Sequence, residues 1–110
     1  MSLNNHSAKQ EIKAMGCLKL CTGTRQVKVK NSEMNLTGLE FNLLNLLMIH
    51  SPDLLARGII VEQLFHGAEN KGQVINMHIS NLRKKLKHCS SGLGIQAMRG
   101  LGYYLVVVEY

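Results

Sequence analysis

The stretch from Leu39 to Ile49 puts an apolar side chain on nearly every side of a helix: Leu39, Phe41, Leu43, Leu44, Leu46, Leu47, Met48 and Ile49. Thr37, just ahead of it, can accept from the free amides of the first turn, and Glu40, three residues on, can reach back, so a capping box sets the start. His50-Ser51-Pro52-Asp53 ends the helix. A helix apolar all round has no face to give to water. This one, interrupted by Asn45, is also too short for a bilayer, which needs about 18 apolar residues. It must therefore lie at the centre of a core that the rest of the chain supplies, and 110 residues suffice for one such domain.

The flanking segments say what surrounds it. Cys17–Cys21, Val27–Lys30 and Met34–Leu36 alternate apolar and polar residues, with turn chemistry at Thr22-Gly23-Thr24 and Asn31-Ser32-Glu33, which predicts a small antiparallel sheet with one apolar face. After the central helix, a shorter one is predicted from Arg57 or Gly58 to His66, burying Ile60, Val61, Leu64 and Phe65. The segment 67–72 reads as a loop, and a third helix spans roughly Gln73 to His88. Ile95–Arg99 and Tyr103–Val108 then form strands joined by Gly100-Leu101-Gly102. The expected class is α+β: a sheet, three helices and a hairpin over residues 14–110, with residues 1–13 as an expression remnant or linker.

Three cysteines, Cys17, Cys21 and Cys89, make an odd number without CxxC spacing, which speaks against a disulfide framework and for a reducing, cytoplasmic compartment. No second close ligand pair completes a tetrahedral metal set around them, so no metal and no cofactor are expected. The five histidines are scattered, and no nucleophile–base order or paired-carboxylate motif is present, so an enzyme is not expected. The net charge of +6 is unevenly placed. Residues 1–69 hold seven basic and six acidic side chains, whereas 70–108 hold six basic ones (Lys71, Arg83, Lys84, Lys85, Lys87, Arg99) and no acid. A one-sided basic field suits a polyanionic partner.

The third helix concentrates that signal. At about 100° per residue, Ile75, Ile79, Leu82 and Leu86 form one stripe for the core, while Gln73, Met77, Ser80, Asn81 and Lys84 lie opposite, with Val74 and Asn76 at the margin. A helix of this width fits the major groove of a duplex, where its outer face meets base edges and its flanks meet phosphates. Base reading is expected from Val74, Met77, Ser80, Asn81 and Lys84, and phosphate contacts from His78, Arg83, Lys85 and Lys87. Arg99, beside a glycine-permitted turn, suits a narrow minor groove, and Tyr103 can either donate its hydroxyl to a phosphate or pack.

Three segments in this order carry a resemblance: Leu36-Thr37-x-x-Glu40-Phe41-x-Leu43-Leu44, Val74–Leu86 and Ile95–Tyr103. Together they resemble the C-terminal effector domain of OmpR/PhoB-type response regulators, over about Cys17 to Leu105. The resemblance implies a winged helix-turn-helix with a four-stranded N-terminal sheet, three helices and a C-terminal β-hairpin wing. It implies sequence-specific binding of double-stranded DNA as a dimer, in the output domain of a two-component transcriptional regulator. It also implies contact with RNA polymerase through loop 67–72, and an N-terminal receiver domain that this chain lacks. The chain departs from the family pattern at Ala56, where a Ser or Thr cap is usual, at Asn76 for Asp, and at Gln73, Ser80 and Asn81, where arginine is frequent. Those losses of arginine motivate an alternative: a winged-helix protein-interaction module without specific DNA binding.

Overall fold

The computed structural model describes residues 11–66 and 72–108. Four short strands come first: β1 (Ile12–Met15), β2 (Leu18–Cys21), β3 (Gln26–Val29) and β4 (Ser32–Met34). They pair antiparallel in the order β1-β2-β3-β4. The alternation works as expected: Leu18, Leu20, Val27, Val29 and Met34 turn inward, while Lys19 and Lys28 stay exposed opposite one another. β1 begins inside the segment expected to be a linker, because Ile12 and Lys13 pair with Cys21 and Leu20. Ile12 itself is 70% exposed, so the strand is held by its ladder more than by burial.

The central helix α1 (Gly38–His50) starts at the predicted box: Glu40 N–H donates to Thr37 Oγ1 and Thr37 N–H donates to Glu40 Oε1. Its Phe41, Leu43, Leu44 and Leu47 are buried, but Ile49 is more than half exposed and Leu46 and Met48 are half-buried, so one flank does meet water. A two-residue strand β5 (Leu55–Ala56) leads straight into α2 (Arg57–Phe65). Of the four core residues expected on α2, Ile60 is buried, while Val61, Leu64 and Phe65 are half-buried and pack against the core. α3 (Gly72–His88) follows, then β6 (Leu93–Met98) and β7 (Gly102–Val107). The helices therefore lie between an N-terminal sheet and a second sheet of order β5-β7-β6, whose long hairpin is the wing.

β5 was not legible from its two residues, and it matters for the wing. Leu55 pairs with Tyr103 and Ala56 with Gly102. The approach is so close that a Cβ on Gly102 would overlap the Leu55 carbonyl oxygen, so glycine is required there by contact. At the turn, Leu101 N–H donates to Met98 C=O at 2.9 Å, and Gly100 adopts φ +78, which an L side chain resists. The far end of α3 is closed by a buried serine: Ser91 Oγ donates to Leu86 C=O at 3.0 Å and accepts from Leu93 N–H at 3.1 Å. One hydroxyl thereby satisfies a helix carbonyl and joins α3 to the first wing strand.

Candidate nucleic-acid interface

The orientation of α3 follows from its stripe. Ile75, Ile79, Leu82 and Leu86 are each at most 1% exposed, which fixes the rotation of the helix about its axis and turns the opposite face to solvent. On that face Gln73, Met77, Ser80 and Lys84 are exposed, with Met77 at 52%. Val74 and Asn81 are half-buried, so they reach solvent from the margins. Burying the four stripe residues contributes several kcal/mol, at ~1.5–3 kcal/mol per side chain, far more than any exposed contact can oppose.

The expected phosphate set divides. Lys87 is exposed and has no acidic partner among the described residues. Arg83 is exposed too, but its Nε donates to Ile95 C=O at 3.0 Å, tying α3 to the base of the wing and leaving the terminal guanidinium nitrogens for other contacts. His78 is half-buried beside Phe65, with ring centroids 6.5 Å apart, and its buried Nδ1 has no hydrogen-bond partner among the described residues, so Nε2 is the nitrogen left to reach a phosphate.

Two members of the set are placed elsewhere. Lys85 does not project as a free cation: its Nζ lies 2.6 Å from Oε1 of Glu40. Glu40 is almost fully buried. Burial pushes its carboxyl pKa up, but the Lys85 ammonium and the hydrogen bonds from the Thr37 amide and hydroxyl outweigh it and hold the group below its ordinary value. A buried carboxylate needs a counter-charge, and Lys85 supplies it. Tyr103 is 6% exposed, and its hydroxyl donates to Asn76 Oδ1 at 2.7 Å while accepting from Arg57 Nη1 at 2.7 Å. The packing alternative for Tyr103 is the one the geometry favours. Its hydroxyl is already committed on both sides.

Arg99 sits exposed in the wing turn, with no acid against it among the described residues. With Arg57, Gly100 and Tyr103 it lines a cleft of about 320 Å³ where the hairpin meets the start of α2. That start has the bare Ala56 cap expected from the sequence, with no side-chain hydrogen bond. The wing takes a different amide of the first turn: Arg57 N–H, which no cap side chain would reach, donates to Leu101 C=O at 3.1 Å. Arg57 and Asn76 are the site residues that sequence reasoning missed. Arg57 was read as a helix start and Asn76 as a marginal position, and no local spacing links either one to Tyr103.

The cysteines do not converge: Cys17 and Cys21 belong to the outer face of the sheet, whereas Cys89 Sγ packs on Met34 Sδ at 3.7 Å. Among the described residues no group of three His, Cys, Asp or Glu could hold a metal ion, and no helix is long and apolar enough to cross a membrane. Loop 67–72, expected to meet a polymerase, lies outside the described residues up to the first residue of α3.

A family model described as "Transcriptional regulatory protein, C terminal" matches residues 31–105, from the β3–β4 turn to the middle of β7. The chain belongs to that family. The "Probable transcriptional regulator ycf27" of Porphyra purpurea is 35% identical over 94 residues, covering 82% of this chain and 39% of the relative. The chain thus spans about two-fifths of the length of such relatives. Among solved structures, the DNA-binding domain of CpxR from E. coli superposes with a TM-score of 0.76 at 29% identity, over 90% of this chain and 99% of that one. The Klebsiella pneumoniae RstA DNA-binding domain, solved in complex with the RstA box, gives the same TM-score at 24% identity, over 87% and 97%, and speaks for the fold. Within this family the fold is a winged helix, and the β6–β7 hairpin is its wing.

Proposed function

We propose that this chain is the DNA-binding output domain of a two-component transcriptional regulator, with α3 in the major groove of duplex DNA and the wing in the adjacent minor groove. The observation that carries the reading is the solvent face of α3: Gln73, Met77, Ser80 and Lys84 stand exposed on a helix whose rotation is fixed by a fully buried stripe. Asn81 and Ser80 hydrogen-bond base edges, Lys84 suits guanine acceptors, and Met77 and Val74 pack on thymine methyls. Lys87, the free nitrogens of Arg83 and Nε2 of His78 hold phosphates, and Arg99 enters the minor groove. Lys85 and Tyr103 are left out because their polar atoms are already engaged. The larger setting belongs to the same proposal. A receiver domain precedes this one in the full-length regulator, copies pair on repeated half-sites in the cytoplasm, and segment 67–72 touches RNA polymerase. The role needs no catalysis and no cofactor.

Selection of duplexes from random DNA, followed by titration at several salt concentrations, tests this. Expected is a defined recognition sequence, with log affinity falling against log salt at a slope of about −3. Asn81→Ala and Arg99→Ala should each weaken the selected site by roughly tenfold while leaving random duplex nearly unaffected. If no sequence is enriched, and chemical-shift mapping with low-salt duplex leaves Ser80–Lys87 and Arg99 unmoved, the protein-interaction alternative replaces it.

A further inference from the structure

Three residues far apart in sequence close a hydrogen-bonded ring at the tip end of the wing. Arg57, the first residue of α2, uses Nη1 to donate to Tyr103 OH at 2.7 Å and to Asn76 Oδ1 at 3.1 Å. Tyr103, in β7, donates its hydroxyl to the same Asn76 oxygen at 2.7 Å. The donor and acceptor count closes: one guanidinium nitrogen has two hydrogens, a phenol has one hydrogen and an open lone pair, and a carboxamide oxygen has two lone pairs. The guanidinium carbon also lies 5.8 Å from the centre of the Tyr103 ring.

This ring differs in kind from the other attachments of the hairpin. The base of the wing is tied to α3 by Arg83 Nε on Ile95 C=O, and the second wing strand is tied to the start of α2 by the β5–β7 ladder and by Leu101 C=O. Neither reaches the N-terminal half of α3. Among the described residues, that half is joined to the hairpin by the hydrogen bond from Tyr103 OH to Asn76 Oδ1, and Arg57 of α2 bonds both partners. Asn76 stands one residue from Met77 on the solvent side of α3, and Tyr103 three residues beyond Gly100 of the turn.

We propose that Arg57, Asn76 and Tyr103 are positioning residues that couple the reading face of α3 to the wing turn, so that the two meet their grooves as one rigid pair. The inference rests on the DNA-binding reading above. Its physical basis is preorganisation: a duplex fixes the distance between its major-groove and minor-groove contacts. A reader already set to that distance gains both contacts without ordering the second at the moment of binding. Non-specific binding, held by phosphates, is indifferent to the spacing.

The test is a double-mutant cycle on the selected duplex, comparing Arg99→Ala in the parent and in Tyr103→Phe. Tyr103→Phe keeps the packed ring and removes the hydroxyl. It should weaken the selected site by about tenfold and random duplex by less than about twofold, with an unchanged salt slope. Arg99→Ala should then cost at least threefold less in the Tyr103→Phe background than in the parent. Asn76→Ala, at an exposed position safe for folding, should repeat both effects, and Asn76→Asp, which keeps both acceptor lone pairs, should restore the coupling. Additive losses in the cycle overturn the proposal. A salt slope shallower by about one in Tyr103→Phe also overturns it, by making Tyr103 a phosphate ligand. If the parent selects no sequence at all, the DNA-binding reading itself fails. The ring is then judged without DNA, by amide hydrogen exchange at Leu101 and its neighbours in the wing turn. Faster exchange in Tyr103→Phe and Asn76→Ala upholds the coupling, and equal exchange overturns it.

Discussion

The N-terminal sheet and the C-terminal hairpin share antiparallel pairing and apolar alternation, yet they are fastened to the helices differently. The sheet sits on the core through Leu18, Leu20, Val27, Val29 and Met34, and its outer face carries Lys19 directly across from Lys28. The hairpin adds Leu93, Ile95, Tyr103 and Leu105 to the core, but polar atoms also fix its direction: Ser91 Oγ at its root, Arg83 Nε at Ile95 and the Tyr103 hydroxyl near its tip. The sheet has directional ties too, Arg25 Nη2 donating to Gly38 C=O at 3.2 Å and Cys17 N–H to Ser91 C=O at 2.9 Å, but these reach the start of α1 and the root of the hairpin, not the solvent face of α3. The role proposed for the hairpin, presenting Arg99 at a set distance from α3, calls for directional bonds on that side of the molecule.

That contrast can be broken most severely from the sheet side. Leu20→Ala, at a fully buried site, should cost about 3 kcal/mol in denaturant unfolding, with no change in the recognition sequence of whatever fraction stays folded. Gly102→Ala should cost about 2 kcal/mol, because the new methyl has nowhere to go but into the β5 backbone, and it should weaken specific binding as well by lifting the wing from α2. Lys85→Met, which leaves the Glu40 carboxylate buried without its ammonium, should cost about 1–2 kcal/mol at neutral pH and leave the salt dependence of DNA binding unchanged. If the salt slope falls by about one, Lys85 contacts phosphate after all.

The same pair sharpens the comparison by pH. The folded-state pKa of Glu40 is lowered, so its contribution is fully present above the unfolded value of about 4.3 and is lost as pH falls below that value through the folded one. Thermal melts of Lys85→Met should therefore lie well below the parent at pH 7 and converge on it in acid. The smallest effect is expected on the outer face of the sheet. Lys19→Glu replaces a like-charge cross-strand pair with an opposite one, and should stabilise by roughly 0.5 kcal/mol while leaving DNA affinity at the selected site within about twofold.

Legibility in the sequence divides along the same line. The Thr37–Glu40 box, the Ile75–Leu86 stripe, the alternation of β2 and β3 and the turn at Gly100 are local patterns, and the structure places each where periodicity put it. β5 escaped because two residues carry no period, and β1 because its four residues directly follow a polar run and are too few to set one. The engagements of Lys85 and Tyr103 escaped for another reason. A lysine on a helix flank and a tyrosine after a wing turn look the same in sequence whether they meet a phosphate or a partner 45 or 27 residues away in the chain. Arg99, Lys84 and Lys87, which meet no such partner among the described residues, keep the exposed positions their spacing implied.

The amide of Arg57 takes its acceptor from the carbonyl of Leu101, one step beyond the Ala56–Gly102 pair of the β5–β7 ladder. Helix α2 therefore does not own its beginning; it borrows one from the wing turn. Any ligand that draws the wing turn outward strands a helix N–H directly behind the turn, and the work of doing so rises with the distance the turn must travel. Two duplexes offering identical base edges but different minor-groove depth would then differ in affinity through the start of a helix that reads no base of either.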